Sequence, residues 1–572
     1  MIINPIITEL LNKRGICSEE DIEEFLSEKP QKTYDPFLLL NMEAGVDLIM
    51  SAIKANKHIC IYGDYDADGI TATSLMMQVL SEATDNLSYY IPSRFDEGYG
   101  LNKDAIKTIK DDGAGMILTV DCGSVSADEV EYAKELGLDI LITDHHTITD
   151  TVADCLLINP KQKNCPYPFK ELAGVGVAFK LAKALETKGV VSHEVLGKVL
   201  DLVAIGTIGD IVPLLDENRT LAKYGLRALN ISNRIGLNAL IRGVSLHKGS
   251  IKSEEIAFGI VPHLNAAGRM EDASFAVKLM CTGDEAKAAA GVSKLVSCNS
   301  ERKRVQEETY KACMKQIEAE AKQDYEAKQD YEARAEARQD YEAKAHAEKE
   351  KQSCYVIYAG DAHEGITGIV AGKIKDYYNR PAIVVTPSGE YYKGTGRSIE
   401  GINLYDLLKK YEDYFIKFGG HSAACGFLMK KENFGDLKEG LNRDVAEILA
   451  QNPILACKDF SGEIKTSISR VSLDLLEQIE RLAPFGCKNK RPTFIFENVF
   501  VEDLRLMGDD GSHAGFVIRD NEGSSLRCVL FRRAAEYNEV LRAGKAVSVM
   551  GIVECREWKG NRNLQLIVEG II

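Results

Sequence analysis

The chain has 572 residues, 45% hydrophobic and 27% charged, enough for about three or four domains at ~100–200 residues each, which excludes a single small module. Aromatics at 7%, 14 prolines and a mean hydropathy of -0.16 fit a globular chain and argue against a disordered or fibrous one. A formal net charge of -16 argues against a surface that coats nucleic acid or anionic membrane, so a polyanion would have to be met locally, for instance through divalent metals held in an acidic cleft.

The opening residues, MIINPIITELLNKRGICSEEDIEEFL, read as a helical segment with polar groups every few positions and no signal-peptide core. No later apolar run approaches the ~18 residues of a membrane span. The 14 cysteines include no CxxC pair, which matches reduced thiols better than a zinc ribbon or a disulfide framework. A cytoplasmic protein without membrane contact is expected.

Through the first half, short apolar runs alternate with amphipathic helical stretches, the pattern of βα units around a mostly parallel sheet. Strands are predicted at HICIYG (58–63), GMILTV (115–120) and LDILIT (138–143). Each is followed at once by acidic residues or histidines, and an open α/β sheet binds ligands at the carboxyl ends of its strands.

The first strand leads into DYDADG, with Asp64, Asp66 and Asp68 just before a helix near Ile70. Carboxylates this close repel, and a cation stabilises them together; an acidic turn with local hydrogen bonding is the competing reading. The second leads into Asp121 of VDCG and the third into Asp144, His145 and His146. Oxygen and imidazole donors suit Mn²⁺ or Mg²⁺, while Cys122 reads as packing. Asp210, in the otherwise apolar IGTIGDIVPL, is costly there unless paired or metal-bound; a cap or turn before Pro213 is the alternative. Together the clusters offer enough hard donors for two metals sharing a carboxylate, an arrangement suited to phosphodiester hydrolysis. The glycines of AGVGVAF, Gly174 and Gly176, lack the rest of a dinucleotide loop and read as helix packing.

From about residue 285 to 352 the composition shifts to Ala, Glu, Lys, Arg and Gln, with QDYEA recurring at Gln323, Gln329 and Gln339. Copies spaced six and ten residues apart form neither a heptad nor a solenoid, so a solvent-exposed helical connector is expected. CYVIYAG (354–360), a helix from about 366 to 378 and PAIVVTP (381–387) restart a βαβ pattern as a second α/β domain. Beyond residue 457, LAPFGCKNKRP and short β-rich runs suggest a small β-barrel. The predicted domains are thus 1–284, with an N-terminal helical segment, 285–352 as connector, 353–456, and 457–572.

The ordered series DYDADG, VDCG, DHH and GDIVPL resembles the DHH phosphoesterase family, and within it the single-strand-specific exonucleases. GGHSAACG (419–426) is similar to the glycine-rich element of the DHHA1 domain, and LAPFGCKNKRP to the entry of an OB-fold domain. The resemblance implies Mn²⁺ or Mg²⁺, two divalent ions, held by Asp66, Asp68, Asp121, His145 and Asp210, with Asp64 either a ligand or behind one. It implies that His146 touches the scissile phosphate, that Arg94 meets the 5′-terminal phosphate, and that Arg269, Arg397 with Ser398, and His421 contact the strand. In the barrel, Phe485, Lys488, Lys490, Arg491, Arg532, Arg533, Arg556, Trp558, Lys559 and Arg562 are candidates for single-strand binding. Two departures stand out: the QDYEA-rich insertion has no counterpart in the family pattern, and Ala362 stands where these proteins often carry tryptophan.

The activity so implied is 5′-to-3′ hydrolysis of single-stranded DNA to nucleoside 5′-monophosphates in recombination and repair, by a monomer, with a helicase and a single-strand-binding protein as partners. Two rivals are a DHH phosphodiesterase acting on short oligonucleotides or cyclic dinucleotides, and a non-catalytic DNA-binding homologue.

Overall fold

A computed structural model describes residues 3–98, 100–148, 152–334, 352–456, 462–508, 511–558 and 561–572. Helices α1 (Pro5–Lys13), α2 (Glu19–Leu26) and α3 (Met42–Lys54) lead into an alternating series. It runs β1 (Ile59–Tyr62), α4 (Ala67–Leu80), β2 (Leu87–Tyr90), α5 (Lys103–Asp111), β3 (Met116–Val120), α6 (Ala127–Glu135), β4 (Asp139–Thr143) and β5 (Leu156–Ile158). The strands form one parallel sheet in the order β2-β1-β3-β4-β5, and β1, β3 and β4 are the three predicted strands.

A helical layer follows: α7 (Gly174–Thr187), α8 (His193–Gly209), α9 (Asp216–Ile231), α10 (Ile235–Gly243), the single turn α11 (Ser253–Glu255), a π-helical turn (Ile256–Ile260), α12 (Val261–Met270) and α13 (Ser274–Cys281). Helix α4 lies between this layer and the sheet, packed on α7 and α8 as well as β1 and β3. Its sequence ADGITATSLMMQVL has no charged face because it is enclosed on nearly every side. The loop that precedes it is therefore anchored to the centre of the core.

The expected solvent-exposed connector is corrected over its first part. Helix α14 (Glu285–Arg334) buries Ala288, Val292, Leu295, Cys298, Cys313 and Ile317 against α10, α12, α13 and then α15 (Glu364–Tyr378). Asn299 and Thr309 are buried in the same stripe, and these polar members mask its helical spacing in the sequence. The QDYEA copies at Gln323 and Gln329 fall in helical backbone, and the copy at Gln339 lies outside the described residues.

The second α/β domain holds β6 (Tyr355–Tyr358), α15, β7 (Ala382–Ser388), β8 (Tyr391–Arg397), α16 (Leu404–Lys409), β9 (Phe415–His421), β10 (Ala424–Lys430) and α17 (Phe434–Gln451). Its sheet runs β6-β7-β8-β10-β9; β6 and β7 are parallel and the other pairs antiparallel.

The C-terminal part comprises β11 (Ile464–Lys465), α18 (Leu473–Glu480), β12 (Phe494–Met507), β13 (His513–Arg519), β14 (Ser525–Leu530), α19 (Ala534–Arg542), β15 (Val547–Trp558) and β16 (Asn561–Ile571). Because β12 pairs with both β13 and β15, the circuit β12-β13-β14-β16-β15 closes on itself, so the barrel leaves no long open edge. Helices α1 and α2, grouped by sequence order with the first domain, contribute Ile7, Leu10, Leu11 and Phe25 to the core of this barrel region. Arg219 of α9 lies 3.8 Å over the Phe25 ring and donates to the Phe25 and Leu482 carbonyls, tying the two ends of the chain to the first domain. Among the described residues, no helix is long and apolar enough to cross a membrane, and the thirteen described cysteines are free.

Candidate active site

The carboxyl edge of the parallel sheet gathers the acidic clusters. Asp64, Asp66 and Asp68 follow β1, Asp121 follows β3, and Asp144, His145 and His146 follow β4; Asp210 joins them as the C-terminal cap of α8. Side-chain donor atoms converge within 4.8 Å of one another in three groups: Asp64–Asp66–Asp121, Asp68–His145–Asp210, and Asp121–Asp144–His145–His146. Every predicted metal residue is therefore in the cluster.

Each is held by backbone that the local sequence dictates. Asp66 caps α4, its Oδ1 accepting from the amides of Asp68 (2.9 Å) and Gly69 (3.1 Å). Asp68 accepts from the amides of Gly174 (2.6 Å) and Val175 (2.9 Å), so the N-terminus of α7 faces a buried carboxylate. Gly174, which the sequence assigns only to packing, presents its amide to one acidic residue and gives room to another. A Cβ at Gly174 would fall 2.6 Å from Cβ and Cγ of Asp121. A Cβ at Gly206 would fall 2.6 Å from Asp68 Oδ1. Asp121 itself sits at φ +64°, a left-handed backbone uncommon outside glycine, asparagine and aspartate.

Asp144 plays a different part from its neighbours. Its Oδ1 accepts from the amides of His145 (2.7 Å) and His146 (3.1 Å) and bonds His146 Nδ1 (2.8 Å), while Oδ2 accepts from Ser124 N (3.0 Å). With its oxygens so committed, it is the brace of the cluster. Burial pushes its carboxyl up, but the hydrogen bond and charge of His146, with the Ser124 amide, outweigh this and hold it below the ordinary carboxylate range. Burial likewise disfavours charge on His146, yet the Asp144 bond and the surrounding carboxylates raise it to about 9. His145, buried beside that cation, is pushed down to about 3 and is neutral. Its Nε2 lies 3.1 Å from Asp121 Oδ1 and 3.5 Å from Asp210 Oδ2.

At the other shifted carboxyls of the cluster burial and like charge prevail, even over the two amides that donate to Asp68. Asp64, Asp68, Asp121 and Asp210 are all pushed up, first by burial and then by one another's charge together with that of Asp66. Asp64 Oδ1 is buried without a hydrogen-bond partner, and Asp121 Oδ1 and His145 Nε2 lie 3.1 Å apart without the geometry of a hydrogen bond. A neutral imidazole and an excess of orphaned carboxylate oxygens form the donor set of hard or borderline divalent cations. Asp121 belongs to two of the groups, and a carboxylate, with two oxygens, could serve two neighbouring ions, whereas the neutral His145 would offer one lone pair to one. The donors fit the expected metals.

Residues 58–207 match the family model of the DHH family, N-terminal domain, residues 351–447 that of the DHHA1 domain, and residues 463–570 that of the RecJ OB domain. The chain is 36% identical to the single-stranded-DNA-specific exonuclease RecJ of Bacillus subtilis over 99% of its own length and 68% of that protein. It is 31% identical to the RecJ of Haemophilus influenzae over 99% and 96% of the two chains.

The chain belongs to the RecJ family.

The crystal structure of RecJ from Thermus thermophilus in complex with Mn²⁺ is similar with a TM-score of 0.81 at 25% identity, over all of this chain and 76% of that one. The three-domain architecture expected from sequence is thus the RecJ architecture.

Opposite the acidic cluster stand the expected arginines. Arg94, in the loop after β2, lies 5.0 Å over the Tyr65 ring. Arg269 of α12 donates to the Gly365 carbonyl at 2.8 Å, and Arg397 ends β8 with a bond to the Gly396 carbonyl. Burial pushes Arg269 down to about 9, and the charges of Arg94, Arg302 and Arg397 add to the effect. Four guanidiniums from separate elements thus share one region. Arg302 was missed in the sequence because it sits in the connector, where Lys and Arg are abundant. The Phe95 and His363 rings meet edge to face at 5.2 Å, so the first two domains touch beside these arginines.

Other expected contacts fare unevenly. His421 is exposed at the end of β9, in a hairpin with β10, and Arg397's charge reaches it. Ser398 is buried, its hydroxyl donating to Ile402 O (2.7 Å) and its amide to Ala423 O (2.9 Å), so both donors serve the fold. In the barrel region, Phe485 is buried beneath Arg491, which pairs with Glu254 and Glu480. Arg533 pairs with Glu536 and Arg562 with Glu477. Lys488, Lys490, Arg532 and Arg556 are exposed; Lys559 and the side chain of Trp558 lie outside the described residues. Asn265 was also missed: its Oδ1 accepts from Ala67 N at 2.7 Å, fixing the metal loop from α12.

Proposed function

We propose that the protein is a metal-dependent exonuclease that hydrolyses single-stranded DNA from its 5′ end and releases nucleoside 5′-monophosphates. The observation that carries the reading is the buried cluster with its orphaned oxygens and neutral His145, facing a group of arginines. In this reading Asp64, Asp66, Asp68, Asp121, His145 and Asp210 hold two Mn²⁺ or Mg²⁺ ions. When bound, such ions supply a nucleophile from water and neutralise charge on the phosphoryl oxygens.

The chain's own residues do the rest. Asp144 orients His146, whose charged imidazole can meet a non-bridging oxygen as negative charge develops there. Arg94, Arg269 and Arg397 offer paired donors to phosphate, and an end-terminal phosphate, with its extra charge, suits such a group better than an internal diester. The 5′ polarity follows from the family resemblance, as does the supply of strand by a helicase and a single-strand-binding protein to a cytoplasmic monomer.

The test is digestion, with Mn²⁺, of long single-stranded DNA, its duplex and a dinucleotide, labelled at either end. Immediate release of 5′-labelled mononucleotide from single strands, with the 3′ label retained on shortening products, is expected. Preferential cleavage of the dinucleotide would move the protein to the small-substrate branch, and binding without cleavage to the non-catalytic one.

A further inference from the structure

Phe258 is 82% exposed, the most exposed of the large hydrophobic side chains among the described residues. It lies in the π-helical turn between α11 and α12, a departure from α-helical geometry that occurs frequently at functional sites. The exposure is built in. His263 Nδ1 donates to the carbonyl of Gly259, Phe258's neighbour, at 2.6 Å; its Nε2 accepts from Asn299 Nδ2 at 2.9 Å, and Asn299 Oδ1 accepts from Arg302 Nε at 3.0 Å. The neutral imidazole with its proton on Nδ1 satisfies both contacts. A chain of side chains from α14 therefore fixes the backbone that carries an aromatic ring into solvent.

The position of the ring along its helical segment gives it a use. Residues 254, 258, 265 and 269 follow one another along a single run of helical turns made of α11, the π-helical turn and α12. Glu254 pairs with Arg491 of the C-terminal region, Asn265 caps the metal loop at Ala67, and Arg269 belongs to the arginine group. Phe258 stands between the first contact and the other two along this run. The run thus leads from the metal cleft, at Asn265, toward the barrel region, at Glu254, with one bare aromatic on the way.

Resting on the exonuclease reading above, we infer that Phe258 is a base-stacking platform for the single strand on its path between the metal site and the C-terminal barrel. An exposed ring stacks with any base and so suits a substrate read without sequence preference. Removing it takes little from the core, because so little of it is buried.

The experiment compares wild type, Phe258→Ala and Phe258→Trp on long oligothymidine and on a dinucleotide. Phe258→Ala should raise KM for the long strand by roughly fivefold or more, the lower end of a lost stacking contact, without a matching rise for the dinucleotide, and Phe258→Trp should restore it. The chain has a single tryptophan, so Phe258→Trp in a Trp558→Phe background gives a lone reporter whose emission should be quenched by oligothymidine in EDTA. An unchanged KM, or an equal rise on both substrates, would overturn the platform, as would unquenched emission despite binding. Wild-type protein that neither binds nor cleaves single strands would instead overturn the exonuclease reading, and this site with it.

Discussion

Gly174 and Asp121 are packed so closely that a single methyl on the glycine would sit 2.6 Å from two carbons of the aspartate. The same glycine donates its amide to Asp68. One residue at the start of α7 thus sets the separation between acidic groups that arrive from β1 and β3, and its lack of a side chain is a condition of the site's geometry.

Gly174→Ala is therefore expected to leave the fold intact and to lower Mn²⁺ affinity and nuclease activity by about 10- to 100-fold, the usual effect of disturbing the groups that orient metal ligands. Calorimetric titration of Mn²⁺ alongside circular dichroism checks this. Native affinity in the variant would contradict the assignment.

The cluster also makes a signed prediction about pH. His146 is raised to about 9, so its stabilising contribution is complete below its ordinary value near 6.5 and is lost as pH rises through 9. The carboxyls of Asp64, Asp68, Asp121 and Asp210 are raised too, so the folded state holds more protons than the unfolded one and stability again falls with rising pH. His145, lowered to about 3, acts oppositely, but only below about 6.5. In EDTA the Tm should accordingly fall between pH 6.5 and 9, and Mn²⁺ should raise it most at the alkaline end. Thermal melts across that window, with and without Mn²⁺, decide it; a metal-free Tm that rises would contradict the cluster's charge state.

Asp121→Asn separates stability from function at the same place. Asparagine tolerates the left-handed backbone at this position and removes one of the repelling carboxylates. Metal-free protein should melt higher than wild type, while nuclease activity is lost. Lower stability together with retained hydrolysis would remove Asp121 from the site.

Much of this was legible because β1, β3 and β4 are apolar runs that stop at acidic residues, so sheet and site are announced by the same boundary. Asp144 was harder to place. It stands beside two histidines and resembles a ligand, and only the four N–H groups around it reveal a brace. Gly174 read only as helix packing, and Asn265 gave no signal, for another reason: both act on residues far away in the chain. Phe258 carried no pattern at all, since one phenylalanine in an amphipathic stretch looks like core until the π-turn exposes it.

Arg491, a sequence-level candidate for strand binding, is committed elsewhere. Only 17% of its side chain is exposed; it joins Glu254 of the first domain to Glu480 near the barrel and lies 4.3 Å over Phe485. Arg491→Ala should cost about 2 kcal/mol of stability while leaving the salt dependence of oligonucleotide binding unchanged, because no phosphate contact is lost. Denaturant melts and binding at several salt concentrations test both halves. A reduced salt slope with native stability would return Arg491 to the strand.

Leu295 tests the corrected view of the connector. It is fully buried in the first part of α14, where a free linker would leave it in water. Leu295→Ala should cost about 2–5 kcal/mol, the range for a buried leucine in a packed core, whereas Lys303→Ala on the exposed side of the same helix should stay within about 0.5 kcal/mol. Because α14 also carries Asn299 and Arg302, loosening it by Leu295→Ala should raise KM for long strands. Equal, small effects of the two substitutions on unfolding would mean that the helix is a detached spacer after all.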